Sequence, residues 1–406
     1  MLDPEDFTCA KAQDPFQLEV DELSIGSRRI KGAKLSISYE ASWRVKIDLS
    51  DQVDDLEALD LLITDNTAVY FSEKGKDYPI IITKASLGGS GKVVTGTLQR
   101  EPLALAYHEE YQTISGILLS PPKLIMRDIL LTDADGRNFR IRPFGAHNEY
   151  LAHISTESQG NTDHFYGTFN EIFDFFTFLK GLHCGIGHMI AQGFDGTVAA
   201  RAVGFTRHDD CKSKTGWFDQ SLQKALPDLF SKFSCSMKKP LLHKAIRQGL
   251  SFYRASNASR DVSIEMSIIA SHSALEAITN YILEHLAGWS KAMRTDRTTS
   301  FCDKLRAAVV FMGVDVNILE HSPQAEALSR NRNMDAFEMI SFIRNKIVHQ
   351  DAKYVPKALE LHETWLVMQW LTEVLILGMV GYEGEIVDRR IYTGWSGKKC
   401  VLKFRH

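Results

Sequence analysis

The residues best suited to chemistry lie in one short stretch, residues 344–351. His349 has a reference pKa near neutrality and can therefore move a proton at physiological pH. Arg344 carries a planar guanidinium that matches two phosphate oxygens at once. Asn345 offers an uncharged donor and acceptor that can orient either group. These residue types predict acid–base chemistry at a phosphodiester.

An amphipathic helical pattern that begins at about Asp335 carries this stretch. Successive residues of a helix are rotated by about 100° around its axis. This rotation brings four apolar side chains into one stripe: Phe337, Ile340, Ile347 and Val348. Arg344 falls in the middle of this stripe. Burying an unpaired guanidinium is strongly unfavourable, so the position predicts hydrogen-bonding partners or an anionic ligand.

His349 lies about 140° around the same helix from Arg344. A straight helix would therefore not let one phosphate touch both side chains. Two arrangements solve the problem. Either the helix bends or breaks at Asn345, or a second copy of the motif completes the site.

The string Arg-Asn-x-x-x-His at the end of an amphipathic helix resembles the R-x(4-6)-H motif of HEPN-domain ribonucleases. Flanking segments are similar to the ApeA-type group of anti-phage HEPN proteins: residues 250–255, 274–277, 381–384 and Asp388-Arg389. The resemblance covers roughly the C-terminal 170 residues well and the N-terminal half in general layout. Two further pairs also match the R-x(4-6)-H spacing: Arg142/His147 and Arg201/His208. Neither pair lies in a predicted helix, so neither is assigned to the motif.

The resemblance implies a metal-independent endoribonuclease, a hydrolase that uses no cofactor. RNA permits such cleavage because its own 2′-hydroxyl attacks the adjacent phosphorus and leaves a 2′,3′-cyclic phosphate. The expected catalytic residues are Arg344, Asn345 and His349, in a cleft that two motifs build across a homodimer. The expected substrate is RNA, with tRNA as one candidate. The expected role is that of a defensive toxin in abortive infection, answering a phage-derived trigger.

Two other functions stay open. One is a non-catalytic HEPN-like module that binds nucleotide or protein, with Arg344 as a phosphate or carboxylate anchor. The other is a purely structural α+β interaction protein. The motif also departs from HEPN toxins that a partner nucleotidyltransferase controls, because Asp351 stands where those toxins carry Tyr. Regulation by modification of that Tyr is therefore not expected.

Four residues are assigned supporting roles at this site: His272, Glu276, Lys346 and Asp351. His272 and Glu276 are four residues apart on a predicted helix over 264–282, so they face the same way. They form either a surface pair or a group that orients Arg344 or His349.

The net charge of −4 provides no overall basic field, so any RNA must bind to a local patch. Five residues near the motif are the candidates: Arg294, Arg297, Lys304, Arg330 and Arg332. The sequence places the first two in a polar bend and the last two in a loop. A solvated helix face is the alternative explanation for such a charge cluster.

The hydrophobic pattern predicts an α+β protein with a β-rich N-terminal domain over 1–158 and an all-α, HEPN-like bundle over 237–406. A mixed connecting region over 159–236 contains an aromatic helix from Phe165 to Leu179 and a hairpin around Asp195-Gly196. Strands are expected at 35–39, 45–49, 68–71, 79–83, 92–98, 113–118 and 123–131.

The six cysteines lack C-x-x-C spacing, which predicts reduced thiols in a cytoplasmic protein. We expect neither a secretory signal nor a membrane span. One cluster has residue types that suit zinc: His183, Cys184, His188, His208 and Cys211. Its spacing matches no common zinc module, and both cysteines can equally be small buried hydrophobes. We therefore assign no metal.

Overall fold

A computed structural model describes most of the 406-residue chain. The described residues are 16–19, 22–25, 28–31, 34–39, 43–48, 67–73, 76–88, 93–98, 103–119, 127–144, 151–203, 209, 216–349, 354–391 and 398–404. The architecture is α+β, as the sequence predicts: antiparallel sheets come first and helices dominate the C-terminal part.

The first sheet contains eight strands in the order β1-β4-β5-β8-β7-β6-β2-β3. Its members are β1 (Phe16–Glu19), β2 (Glu22–Ile25), β3 (Arg28–Lys31), β4 (Lys34–Tyr39), β5 (Trp43–Asp48), β6 (Thr67–Glu73), β7 (Lys76–Gly88) and β8 (Val93–Leu98). The alternation of apolar and polar residues that predicts strands at 35–39 and 45–49 corresponds to β4 and β5, which pair through Leu35 and Ile47.

The second sheet contains seven strands in the order β11-β12-β13-β10-β14-β15-β9. Its members are β9 (Leu103–Ala106), β10 (Glu110–Leu119), β11 (Ile129–Thr132), β12 (Asn138–Phe144), β13 (Leu151–Asn161), β14 (Gly185–Gln192) and β15 (Val198–Val203). The pairing of β14 with β15 confirms the predicted hairpin. The strand expected over 123–131 begins at Ile129 among the residues described, and 120–126 lie outside them.

The predicted domain boundary at residue 158 falls inside β13. The strands β14 and β15, which the sequence assigns to a connecting region, belong to the same sheet as β10 and β13. The domain limits of 1–158, 159–236 and 237–406 therefore remain predictions.

The helical part contains the helices that the sequence predicts, together with two that it does not, at Lys291–Thr295 and Pro323–Arg332. Its helices are α1 (Asn170–Lys180), α2 (Leu226–Met237), α3 (Pro240–Ser259), α4 (Ile264–Tyr281), α5 (Lys291–Thr295), α6 (Phe301–Phe311), α7 (Pro323–Arg332), α8 (Ala336–Val348) and α9 (Ala358–Met379). Short 3-10 helices precede α1 at Thr162–Phe169 and α2 at Gln220–Ala225, and a π turn, Ile282–Leu286, extends α4. Pro227 lies in the first turn of α2, where its missing N–H costs no helical hydrogen bond.

One hydrophobic cluster joins the second sheet to the helices. The aromatic stripe of the α1 region forms part of this core: Phe165, Phe169, Phe175, Phe176 and Phe178 are almost completely buried. Gly181 ends α1 in the left-handed conformation at φ 77°, which glycine adopts without steric cost.

The C-terminal tail packs back on the helices. The strands β16 (Glu385–Asp388) and β17 (Lys398–Val401) form a hairpin, and Leu402 and Phe404 are buried behind it. No helix within the described ranges has both the length and the apolar character that a bilayer crossing requires.

Candidate active site

The start of α8 sets the register of the Arg344–His349 motif. Asp335 caps the helix by accepting hydrogen bonds from the backbone N–H groups of Phe337 and Glu338 at 2.9 and 2.8 Å. The Glu338 carboxylate accepts the Asp335 N–H at 2.8 Å, which completes a capping box. Arg306 of α6 also donates to the Asp335 carboxylate. The cap therefore ties the motif helix to its neighbour.

The buried face of α8 differs from the predicted stripe. Phe337, Met339, Ile340 and Ile343 are buried, whereas Val348 is 42% exposed. Four helices, α4, α6, α7 and α9, contact α8, and the burial of Met339 and Ile343 shifts its core face away from the predicted stripe. The prediction that Arg344 lies in the middle of the buried stripe is wrong, because this residue lies at its half-buried edge.

Arg344 lacks the partner that a buried cation normally has. Its Nη1 donates to the Asn345 side-chain oxygen at 3.1 Å. Its Nε is buried without a hydrogen-bond partner, and within the described part of the chain no carboxylate forms an ion pair with its guanidinium. Removing a polar N–H from water without a partner costs about 1–3 kcal/mol. The Arg344 guanidinium is therefore without a counter-charge among the described residues.

His272 of α4 lies near Arg344. Burial and, second, the Arg344 charge lower the pKa of His272 from 6.5 to about 4. Its ring packs on Phe301 with centroids 3.9 Å apart and planes tilted by 41°. The imidazole is therefore neutral near pH 7 and adds no second positive charge beside the guanidinium. The structure places His272 within electrostatic range of Arg344, and its supporting role stays a prediction.

The other supporting residues lie apart from Arg344. Glu276 is exposed on α4, and no hydrogen bond or ion pair between described residues connects it to Arg344 or His349. Lys346 is half-buried, with its ammonium 5.2 Å from the centre of the Phe342 ring. Asp351 lies outside the described residues.

His349 ends the motif helix. Its backbone N–H donates to the Asn345 carbonyl at 2.9 Å, and its side chain is exposed. The helix α8 continues through Asn345 to Val348 without interruption. The break that would bring Arg344 and His349 onto one phosphate within a single copy is therefore absent from this helix, and the two side chains point in different directions.

The five residues expected to hold RNA differ in their environments. Arg294 pairs with Glu284 at 2.7 Å, and Arg330 pairs with Glu326 one turn earlier on α7. Arg297 is exposed and Lys304 is half-buried. The expected loop around Arg330 and Arg332 is the last turn of α7. The prediction of a loop is wrong because Pro323 starts a helix that continues to Arg332.

Sequence reasoning missed an aromatic pair beside the motif. The rings of Phe342 on α8 and Tyr354 have centroids 5.4 Å apart, and the Arg332 guanidinium lies over both. The available signal was the i, i+4 spacing of Phe342 and Lys346, which places both on one half-buried flank of the motif helix.

A buried polar network lies deeper in the helical core. Arg389, from the tail, donates to the Glu373 carboxylate of α9 at 2.7 Å, and the two side chains are 6% and 0% exposed. The Tyr253 hydroxyl donates to the same carboxylate at 2.5 Å. Burial raises the pKa of Glu373 from 4.5 to about 7 against the opposing charge of Arg389. Tyr253 and Arg389 both belong to segments that carry the HEPN resemblance.

The candidate zinc residues have other environments. His183 Nδ1 lies 3.1 Å from the Arg254 guanidinium, and the Cys184 thiol donates to the Leu119 carbonyl at 3.5 Å. His188 is buried, and burial lowers its pKa to about 3. His208 and Cys211 lie outside the described residues. Among those described, no group of three or more His, Cys, Asp or Glu side chains is arranged to hold a metal ion.

Comparison with known proteins relates the helical part of the chain to one family. A family model described as the YopA C-terminal domain matches residues 239–400, which include α3 to α9 and the Arg344–His349 motif. The SPbeta prophage-derived uncharacterized protein YopA of Bacillus subtilis (strain 168) is 26% identical over 177 residues. That alignment covers 43% of this chain and 38% of the relative, so it spans less than two fifths of the relative's length. No solved structure matches.

Proposed function

We propose that this protein is a metal-independent HEPN endoribonuclease in which Arg344 binds the reacting phosphate and His349 moves a proton. One observation carries the proposal: a half-buried guanidinium has a buried, unpartnered Nε and no carboxylate partner within the described part of the chain. Other partly buried arginines of the helical region, such as Arg306 and Arg390, pair with aspartates. An anionic ligand bound at the Nη groups would supply the counter-charge that Arg344 lacks.

The chemistry of RNA fits the residues around Arg344. The ribose 2′-oxygen attacks the adjacent phosphorus, the bond from phosphorus to the 5′-oxygen breaks, and the products are a 2′,3′-cyclic phosphate and a 5′-hydroxyl. The proton that leaves the 2′-hydroxyl must be accepted, and one must be delivered to the departing 5′-oxygen. His349 is exposed at the helix end and is placed to exchange protons with a bound strand.

Arg344 has the role of stabilising charge in this scheme. Its planar fork donates to two phosphate oxygens as negative charge accumulates on them. The neutral His272 beside it contributes an acceptor or donor without repelling the guanidinium. The Asn345 side-chain oxygen accepts a hydrogen bond from the Arg344 Nη1 at 3.1 Å and so restrains the guanidinium.

A second copy of the chain supplies the missing half of the site. Because α8 is unbroken through Asn345, one phosphate cannot contact Arg344 and His349 of the same copy. In a two-fold dimer, Arg344 of one copy faces His349 of the other, and the arrangement repeats at a symmetric second site. The proposal is therefore a homodimer with composite active sites.

The first test is RNA cleavage by the purified protein in excess EDTA, beside its His349→Ala variant. The parent should cut RNA and leave 2′,3′-cyclic phosphate ends, whereas the variant should not, because catalysis needs the imidazole. Cleavage that persists in the His349→Ala protein would refute the assigned role.

The dimer part has its own test. Mixtures of Arg344→Gln and His349→Ala proteins, refolded together, should regain roughly a quarter of the parent activity, because half of the random dimers contain one intact composite site. Each variant alone should be inactive. If each site lies within one copy, the mixture will stay as inactive as its components.

A second candidate function is a non-catalytic module that binds a nucleotide or protein through Arg344. The divergence of Arg344 and His349 on one straight helix favours it, because anchoring an anion needs only the guanidinium. The His349→Ala change separates the two functions: anion binding survives it, and cleavage does not.

The biological role we propose is anti-phage defence by a cytoplasmic toxin. The prophage origin of the Bacillus subtilis relative supports a role in phage–host conflict. The β-rich N-terminal part would then sense a phage-derived trigger. Efficiency of phage plating on cells that express the parent or the His349→Ala protein tests this role, and equal plating would contradict it.

A further inference from the structure

The guanidinium of Arg332 lies over two aromatic rings at the end of α7. Its central carbon is 4.2 Å from the centre of the Tyr354 ring and 4.5 Å from that of Phe342. The two ring centres are 5.4 Å apart, much less than the sum of those distances, so both rings lie on the same side of the guanidinium. The Arg332 side chain is exposed. The side of the guanidinium turned away from the rings is therefore accessible to a ligand.

This arrangement holds the guanidinium in a defined position. Asn333, in the left-handed conformation at φ 50°, ends α7 directly after Arg332. The Tyr354 hydroxyl donates to the Glu360 carboxylate at 2.5 Å, which fixes the second ring. An exposed arginine normally loses considerable side-chain freedom when it binds a ligand. Here the aromatic contacts have already restricted Arg332, so its outer face is a preorganised platform.

The platform lies on the same side of α8 as His349. Phe342, Lys346 and His349 are spaced i, i+4 and i+7, which places them on one helix face. Phe342 and His349 are separated by about 10 Å along the axis at 1.5 Å per residue. About three stacked nucleotides span that distance at 3.4 Å each. The Lys346 ammonium, near the Phe342 ring, lies between the two positions.

We propose that Arg332, supported by Phe342 and Tyr354, stacks on an unpaired base of the RNA a few nucleotides from the phosphate at His349. This inference rests on the proposed function, because it assumes that a strand passes His349. It makes single-stranded RNA the substrate class. A base that is already paired and stacked in a duplex cannot place its face on the guanidinium.

The experiment measures RNA binding in EDTA with the His349→Ala protein, which keeps the RNA intact. Fluorescence anisotropy gives the Kd for a labelled single strand and for a duplex of the same sequence. Arg332→Lys keeps the charge and loses the flat face. It should weaken binding of the single strand about fivefold to a hundredfold and leave duplex binding unchanged. The slope of log Kd against log salt should also stay the same, because no charge is lost.

Arg247→Lys is the matched control. Arg247 lies on α3 with its side chain 61% exposed and pairs with Asp174. The same substitution there should leave the Kd for the single strand unchanged. Circular dichroism melts establish that both lysine variants are folded.

A second readout identifies stacking directly. Single strands that carry 2-aminopurine at successive positions should show altered fluorescence at one position when bound, and Arg332→Lys should abolish that change. If Arg332→Lys binds as tightly as its parent while Arg332→Ala reduces the salt slope by about one, Arg332 contacts a phosphate and the stacking proposal is refuted. RNA cleavage by the unmodified protein in that case leaves the proposed function intact. If the protein neither binds nor cleaves RNA, both the stacking proposal and the proposed function are refuted.

Discussion

Replacing Arg389 by Met should destabilise the protein by an amount that depends on pH. Arg389 and Glu373 form an ion pair whose side chains are 6% and 0% exposed. Removing one partner of such a pair typically costs about 3–5 kcal/mol, because the other charge is left buried. Glu373 can reduce this cost by taking up a proton, and burial already raises its pKa to about 7.

The sign of the pH dependence follows from that pKa. The folded pKa of Glu373 lies above its ordinary value of 4.5, so its contribution to stability is present below pH 4.5 and is lost as pH rises through about 7. Arg389 lowers the pKa of Glu373, so its removal extends this loss to higher pH. The Arg389→Met protein should therefore lose about 1 kcal/mol more stability for each pH unit above 7 than the parent does.

Urea unfolding of the parent and of Arg389→Met from pH 5.5 to 8.5 measures this difference. We expect the loss caused by Arg389→Met to be larger at pH 8 than at pH 5.5, where Glu373 is protonated, by about 1 kcal/mol. The double variant Arg389→Met/Glu373→Gln is the matched control, because it keeps the shape of the carboxyl group and cannot ionise. The unfolding free energy of the double variant should not show the additional decrease above pH 7 that is expected for Arg389→Met. An equal loss for Arg389→Met at both pH values would refute the reasoning.

Two further predictions concern the site itself. The pKa of His272 is lowered from 6.5 to about 4, so its contribution to stability is present above pH 6.5 and is lost as pH falls towards 4. His272→Gln should therefore remove up to about 3 kcal/mol of the change in unfolding free energy between pH 7 and 4.5, as measured by urea unfolding. An unchanged pH profile would contradict the lowered pKa. Arg344→Met should abolish RNA cleavage while leaving the free energy of unfolding within about 1 kcal/mol of the parent, or higher, because an uncompensated charge is removed. A much larger loss in thermal or urea unfolding would mean that Arg344 has a structural partner.

Local patterns predicted the elements of this fold well. Period-two alternation identified β4 and β5, and the glycine at Asp195-Gly196 identified the turn between β14 and β15. Helix boundaries followed from caps and breakers, as at Asp335 and Gly181. These signals act within a few residues of the chain, so no tertiary information was needed to read them.

The environment of the motif could not be predicted in the same way. A helical wheel placed Arg344 at the centre of a buried stripe, because it weighs each residue by its own hydrophobicity. The burial of a helix face depends on which neighbours pack against it, and four helices contact α8, where Met339 and Ile343 are buried. For the same reason the platform of Arg332, Phe342 and Tyr354 was missed, since its members come from three segments of the chain.

The sequence by itself determined the α+β order of the elements, the helix that carries Arg344 and His349, and the residue types suited to a phosphate. Tertiary structure decided which of these groups meet. It placed His272 near Arg344 and left the Arg344 Nε buried without a partner. It also kept α8 unbroken through Asn345, so that the Arg344 and His349 side chains point in different directions. The physical reason is that hydrogen bonding and helix capping are local, whereas burial and charge pairing depend on contacts between segments far apart in the chain.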